Sequence, residues 1–314
     1  MKEAPIFSES TRRDCLRLIE MAILEDLNAA DLESGVDCTT AAIVPDSVHA
    51  KAAFVSRSKG VICGIEVVKL ALQQWAPNIQ LTVHVNDGEP VDAGHTIGVM
   101  SGLAHDILTM ERTCLNFMCR LSGISSLTHE FVDKISGTSA CVLDTRKTTP
   151  GWRRLEKYAV ACGGGRNHRM GLYDAIMIKD NHLAFFRTQV REEAEVIPVA
   201  IQNAKNWIGE HAAELPSGKE TVLQLEVDTL EQLRVALKTD CDIVLLDNMS
   251  NEQLREAVQI RNETAPKIIL EASGGVNLDS IVKIAKTGVE RISVGAVTHS
   301  ATNFDIGLDW DISQ

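Results

Sequence analysis

The chain has 314 residues, 45% apolar and 24% charged, an ordinary globular composition that can bury a full core without staples. Its formal net charge of −12 argues against a nucleic-acid partner, because phosphate contacts need surplus Lys and Arg, yet a local basic cluster in such a protein can still take a small anion. The eight cysteines form no C-x-x-C pair, which argues against a zinc ribbon or thioredoxin-like motif and for buried thiols in a reducing compartment.

The chain opens on Met1-Lys2-Glu3-Ala4-Pro5, without an apolar stretch of signal-peptide length, and no later run approaches the ~20 apolar residues of a membrane span. A cytoplasmic protein is expected. Residues 11–27 carry Leu16, Ile19, Ile23 and Leu27 at helical spacing. Residues 50–62 and 81–85 read as strands, the second through the alternation Leu81, Val83, Val85. Turn signals follow at Asp87-Gly88 and Asp92-Ala93-Gly94. Residues 103–127 read as a long helix with Leu103, Ile107, Met110, Cys114, Phe117 and Leu121 on one face.

From about residue 139 short apolar runs recur at 140–143, 175–178, 222–225, 243–246, 267–270 and 291–294, with amphipathic helices between them. Thr229 with Gln232, and Ser250 with Gln253, are capping-box pairs, and Leu278, Ile281, Val282 and Ala285 give the last helix an apolar stripe. Near-continuous apolar strands alternating with helices mean a parallel sheet covered on both faces. Six such units suit an incomplete (β/α) barrel; a doubly wound open sheet is the alternative.

A barrel gathers its chemistry at the C-terminal strand ends. Here the runs lead into Arg146-Lys147-Thr148, Lys179, Glu226, Asp247, Ser273-Gly274-Gly275 and Gly295-Ala296. Glycine-rich loops after the last two strands match the usual barrel phosphate site, although Ser273-Gly274-Gly275 also suits a tight turn capped by Asn277. Residues 146–179 are strongly basic. Arg153, Arg154 and Lys157 read as a solvated helix face, whereas Arg146, Lys147 and Lys179 follow strands directly, and His168 and Arg169 leave a glycine-rich loop at 163–165. Forked Arg recognises carboxylates and Lys gives a point charge for phosphate. Glu226 and Asp247 end consecutive strands and suit Mg²⁺ shared with substrate phosphates, or a charge network with neighbouring cations. Together these features suggest transfer of a phosphorylated sugar from a diphosphate.

Longer motifs sharpen this. Asp144-Thr-Arg-Lys-Thr-Thr-Pro-Gly151, Gly163-Gly-Gly-Arg-Asn-His-Arg169, Ile178-Lys-Asp-Asn-His182, Glu226-Val-Asp-Thr-Leu-Glu231, Leu245-Leu-Asp-Asn248, Glu271-Ala-Ser-Gly-Gly275 and Ser293-Val-Gly-Ala296 resemble the quinolinate phosphoribosyltransferases. Upstream, Asp37-Cys-Thr-Thr40, Cys63-Gly64 and Glu111-Arg-Thr-Cys-Leu-Asn116 fit the same family, so the resemblance covers nearly the whole chain. It departs at Trp152, where the family more often has Leu, and over residues 184–221, which look longer and more charged than usual.

The resemblance implies an α/β fold: an N-terminal α/β sandwich domain over residues 1–125, completed by 300–314, and an α/β barrel over 126–299. It implies quinolinate and phosphoribosyl pyrophosphate as substrates, with Mg²⁺, and nicotinate mononucleotide, pyrophosphate and CO₂ as products in NAD synthesis. Arg112, Arg146, His168 and Arg169 would bind quinolinate. Lys147, with Thr148 beside it, and Lys179 would lie between the two substrates. Glu226 and Asp247 would serve the ribose and the metal, completing a catalytic set with Lys147 and Lys179. Ser273, Gly274, Gly275, Gly295 and Ala296 would cradle the 5′-phosphate. Arg112 would reach a partner's site, making a homodimer or higher homo-oligomer with shared active sites. Two alternatives stand beside this: an enzyme taking nicotinate, with one carboxylate, and a non-catalytic sensor of sugar phosphates.

Overall fold

The computed structural model describes residues 5–28, 35–211 and 221–311. It divides into two compact units. One comprises residues 1–129, 148–165 and 297–314; the other comprises 130–147 and 166–296. Residues 148–165, placed with the barrel by the sequence reading, thus belong to the first unit.

The first unit begins with α1 (Glu9–Leu27) and α2 (Cys38–Ile43), then β1 (His49–Ser56), β2 (Gly60–Val61) and α3 (Ile65–Trp75). It continues through β3 (Gln80–Val83), β4 (Pro90–Val91), β5 (Thr96–Leu103) and most of α4 (Ala104–Lys134). Ser8 caps α1 by accepting the N–H of Thr11, and buried Cys15, Ile19 and Ile23 form its inner face at four-residue spacing. Asp37 caps α2 by accepting the N–H groups of Thr39 and Thr40. The stretch read as one strand over 50–62 is broken between β1 and β2. Leu103 ends β5 rather than starting α4, whose buried face is Ile107, Met110, Cys114, Phe117 and Leu121.

Later in the chain come β6 (Cys141–Leu143), α5 (Arg153–Cys162), β7 (Ile176–Ile178), α6 (Asp180–Arg187) and α7 (Glu193–Glu210). Next are β8 (Leu223–Val227), α8 (Leu230–Ala236), β9 (Ile243–Asp247) and α9 (Asn251–Thr264). Last are β10 (Ile269–Ser273), α10 (Ile281–Ala285), β11 (Arg291–Ser293), α11 (Ala296–His299) and β12 (Ile306–Asp311).

The sheet of the first unit has the order β12-β1-β5-β3, with antiparallel ladders. Its edge strand β12 therefore comes from the far end of the chain. Helix α5 also belongs here, and its cations are not a solvated face. Lys157 is fully buried, Arg154 pairs with Asp14 at 2.9 Å, and Arg153 donates to Thr148 Oγ1 at 3.1 Å. Trp152 stacks on Phe117 with ring centroids 4.8 Å apart, a large flat contact that a Leu could not reproduce.

The second unit is a six-stranded parallel sheet in the order β6-β11-β10-β9-β8-β7. Taken around a circle, this is simple sequence order with one ladder missing, between β6 and β7. It is an incomplete barrel, and a doubly wound sheet, whose order reverses midway, is excluded. At the gap a single parallel bridge joins Leu143 to Arg166. The strands are mostly apolar because both faces are covered: Ile243, Val244, Leu245 and Leu246 of β9 are all buried, each contributing roughly 1.5–3 kcal/mol. Both capping boxes form, at Thr229–Gln232 and Ser250–Gln253. Helix α10 buries Ile281, Ile284 and Ala285, while Val282 is half-buried and Leu278 precedes the helix. Part of the 184–221 stretch becomes α6 and α7; its residues 212–220 lie outside the described residues. Among the described residues no helix is long and apolar enough to cross a membrane.

Candidate active site

All six parallel strands run the same way, so their C-terminal ends share one mouth. A cleft of about 450 Å³ opens there. Arg146 and Lys147 follow β6, Lys179 follows β7, and Glu226 and Asp247 come from the ends of β8 and β9. Ser273 ends β10, and Met177 and Leu245 add apolar surface. His168 and Arg169 enter from the segment between the two edge strands. The lining thus carries four fixed cations against two carboxylates, a local positive surplus in a chain of net charge −12. Such a cleft favours anions.

The cations are not equivalent. Arg169 is half-buried and donates Nη1 to the carbonyl of Ala175 at 3.0 Å. Burial and the neighbouring charge of Arg146 press its pKa below the usual guanidinium value, partly opposed by Asp174. Two guanidiniums held close enough to repel suit a ligand with more than one negative charge. Lys179 is bonded to Glu226 Oε2 across β7 and β8.

Behind the cleft wall stands a carboxylate that the sequence reading left out of the site. Glu271, on β10, is fully buried. It accepts Nε of Arg291 at 2.7 Å and the hydroxyl of Ser293, and its Oε1 lies 3.2 Å from Nε2 of His168. Burial alone would raise the Glu271 pKa; the contacts with His168, Arg291 and Ser293 more than offset it and hold the carboxyl below its ordinary value. The Nδ1 of His168 accepts the backbone N–H of Arg169 at 2.7 Å, and the backbone N–H of His168 donates to buried Asp144 at 2.8 Å. Both ring nitrogens therefore face protein groups, so the imidazole serves the wall of the cleft as well as its surface.

Of the glycine-rich loop at 163–165, two positions are set by packing within the first unit. A Cβ on Gly163 would collide with the Ser125 carbonyl of α4, and one on Gly165 would stand 2.8 Å from Thr128 Cγ2. These glycines allow close packing. The loop after β10 differs. Gly274 and Gly275 have φ of +103° and +58°, and a Cβ on Gly275 would meet nothing within 4 Å. Asn277 Oδ1 accepts the N–H groups of Asp279 and Ser280, so the capped turn is present as well. Gly295 and Ala296 follow β11, the neighbour of β10, so the two glycine-containing loops lie at adjacent strand ends. Arg112 is exposed on α4 and Thr148 is half-buried, both in the first unit.

Among the described residues no group of three or more His, Cys, Asp or Glu could hold a metal unaided. The half-buried Glu226 and Asp247 fit a cation that completes its shell with substrate oxygens and water, as Mg²⁺ does.

Two family models cover the chain: the N-terminal domain of quinolinate phosphoribosyl transferase over residues 37–122 and its C-terminal domain over 124–309. The nicotinate-nucleotide pyrophosphorylase [carboxylating] of Mycobacterium leprae is 41% identical over 281 residues, which span 89% of this chain and 93% of that one. A probable nicotinate-nucleotide pyrophosphorylase [carboxylating] of Bacillus subtilis is 35% identical, over 95% of this chain and 94% of its own. Among solved structures, the nicotinate-nucleotide pyrophosphorylase of Francisella tularensis superposes with a TM-score of 0.83 at 36% identity, covering 96% of this chain and 97% of that one.

Proposed function

The chain belongs to the quinolinate phosphoribosyl transferase family, and from that premise we propose that it joins quinolinate to phosphoribosyl pyrophosphate, releasing nicotinate mononucleotide, pyrophosphate and CO₂ in NAD synthesis. The observation that carries this reading is the crowding of Arg146 against Arg169 in one cleft with Lys147, Lys179, Glu226 and Asp247. A pyridine with two carboxylates offsets the first pair, and a diphosphate needs the rest.

Arg146 and Arg169 hold the carboxylates, with His168 fixing the backbone at Arg169. Arg112 contributes from a partner chain in a homodimer, and Thr148 supports Arg153 beside Lys147. Lys147 and Lys179 stabilise the departing diphosphate and hold the two anions together, an entropic and desolvation task. As C1 of the ribose loses the diphosphate it gains cationic character, which the carboxylates of Glu226 and Asp247 stabilise. The ring nitrogen then bonds to C1, and its positive charge stabilises the carbanion left when the adjacent carboxylate departs as CO₂; that carbon then takes a proton from water to give nicotinate mononucleotide. Ser273, Gly274, Gly275, Gly295 and Ala296 receive the 5′-phosphate. Glu226 and Asp247 would hold Mg²⁺, which would supply charge neutralisation on the diphosphate. A cytoplasmic location accords with eight free cysteines.

The test is CO₂ release from quinolinate labelled at the 2-carboxylate. Release that requires phosphoribosyl pyrophosphate, with nicotinate not consumed, supports the reading. No release, or equal use of nicotinate, overturns it.

A further inference from the structure

Two non-glycine residues among those described have φ in the left-handed region, Asn28 and Asn248. Asn28 has an ordinary reason: it caps the C-terminus of α1, donating its N–H to the Leu24 carbonyl. Asn248 follows β9 with φ +54°, and it ends no helix. A left-handed residue beside a substrate cleft points to a role for its side chain.

The contacts of Asn248 reach both ways. Its Nδ2 donates to Asp247 Oδ2 at 2.7 Å, fixing a carboxylate that lines the cleft. Its backbone N–H donates to the Ser273 carbonyl at 2.9 Å. Its Oδ1 fills the space a side chain at Gly274 would need; a Cβ there would collide with Oδ1 and lie 2.9 Å from the Asn248 nitrogen. One side chain thus couples the acidic end of β9 to the glycine turn after β10. The left-handed backbone lets Nδ2 and Oδ1 face these two neighbours at once.

We propose that Asn248 is a positioning residue for the phosphoribosyl donor, acting through Asp247 and Gly274. This rests on the reading above, in which Asp247 serves the ribose and metal and Ser273 to Gly275 take the 5′-phosphate. The backbone and side-chain contributions separate by substitution. Asn248→Gly keeps the left-handed conformation without strain and removes the clamp. Asn248→Asp keeps the shape, loses the donor and sets a second charge beside Asp247.

Calorimetry with Mg²⁺ and phosphoribosyl pyrophosphate on the wild type, Asn248→Gly and Asn248→Asp reads the proposal directly, and quinolinate binding to the same proteins is the control. The expected result is a donor Kd at least tenfold weaker in both variants, with quinolinate Kd within twofold of wild type. A donor Kd in Asn248→Gly equal to that of wild type overturns the clamp. So does a parallel weakening of both ligands, which marks general disruption of the cleft. The reading of function stands or falls separately, on whether wild type releases CO₂ from quinolinate.

Discussion

Glu271 and His168 stand 3.2 Å apart, oxygen to ring nitrogen, with the carboxylate fully buried and the histidine at the cleft. Through Nδ1 the same ring holds the backbone of Arg169. An anion behind the wall is thus two contacts from a guanidinium that lines the cleft.

Glu271→Gln removes that anion while keeping its shape. It leaves Arg291 without its countercharge, a loss on the order of 3 kcal/mol for a buried pair. The folded-state pKa of Glu271 lies below its ordinary value of 4.5, so its stabilisation is fully present above that pH and lost as pH falls through the folded value. Urea denaturation of both proteins at neutral pH and in acid checks this. The stability gap should be wide at pH 7 and close in acid; a gap independent of pH would contradict the assignment.

Arg146→Ala and Arg169→Ala should each weaken quinolinate binding by roughly 1.5–3 kcal/mol, the range for hydrogen bonds to charged groups. Donor binding should change far less. Lys at either position should recover only part of the loss, because an ammonium cannot grip a carboxylate with a fork. Unchanged quinolinate affinity by calorimetry in both Ala variants would remove these residues from the site.

Chelation tests the pairing of Glu226 with Asp247. Turnover should stop in excess EDTA and return with added Mg²⁺. Alanine at either carboxylate should raise the Mg²⁺ concentration needed for half-maximal rate. Full turnover in EDTA would show that the two acids only balance Lys179 and its neighbours.

Arg112 calls for mixing. If it serves a partner's site, inactive Arg112→Ala and Glu226→Ala proteins regain activity on subunit exchange, because one site of a mixed dimer collects both lesions and the other neither. Random reassortment leaves about a quarter of all sites intact under two-fold symmetry. Verified exchange without recovery would place Arg112 in its own chain's service.

Much of this was legible in the sequence, for identifiable reasons. The six barrel strands announce themselves because a parallel sheet covered on both faces must be apolar at nearly every position, as in β9. Arg146, Lys179, Glu226 and Asp247 were readable because each directly follows or ends such a run. Glu271 and Asp144 were not assigned to the site. Both precede more conspicuous residues, and what matters about them, burial against His168, depends on contacts between distant segments. Lys157 was misread for a related reason: a charged residue on a helix gives no local sign that its neighbours will enclose it. The glycines at 163 and 165 looked like a ligand loop because close packing and ligand approach impose the same demand, the absence of a Cβ.

The pairing of β12 with β1 bears on the order in which the protein can fold. Arg57 and Asp309 meet across this part of the sheet although 252 residues separate them in the chain. A ribosome delivers every strand of the parallel sheet before it delivers β12. The barrel can therefore mature while β1 still presents an open edge, a template for unwanted strand addition until its partner emerges. Contacts this remote in sequence also slow the search for the native pairing. Deleting β12 should accordingly be felt first as aggregation during synthesis, before any defect in catalysis is measured.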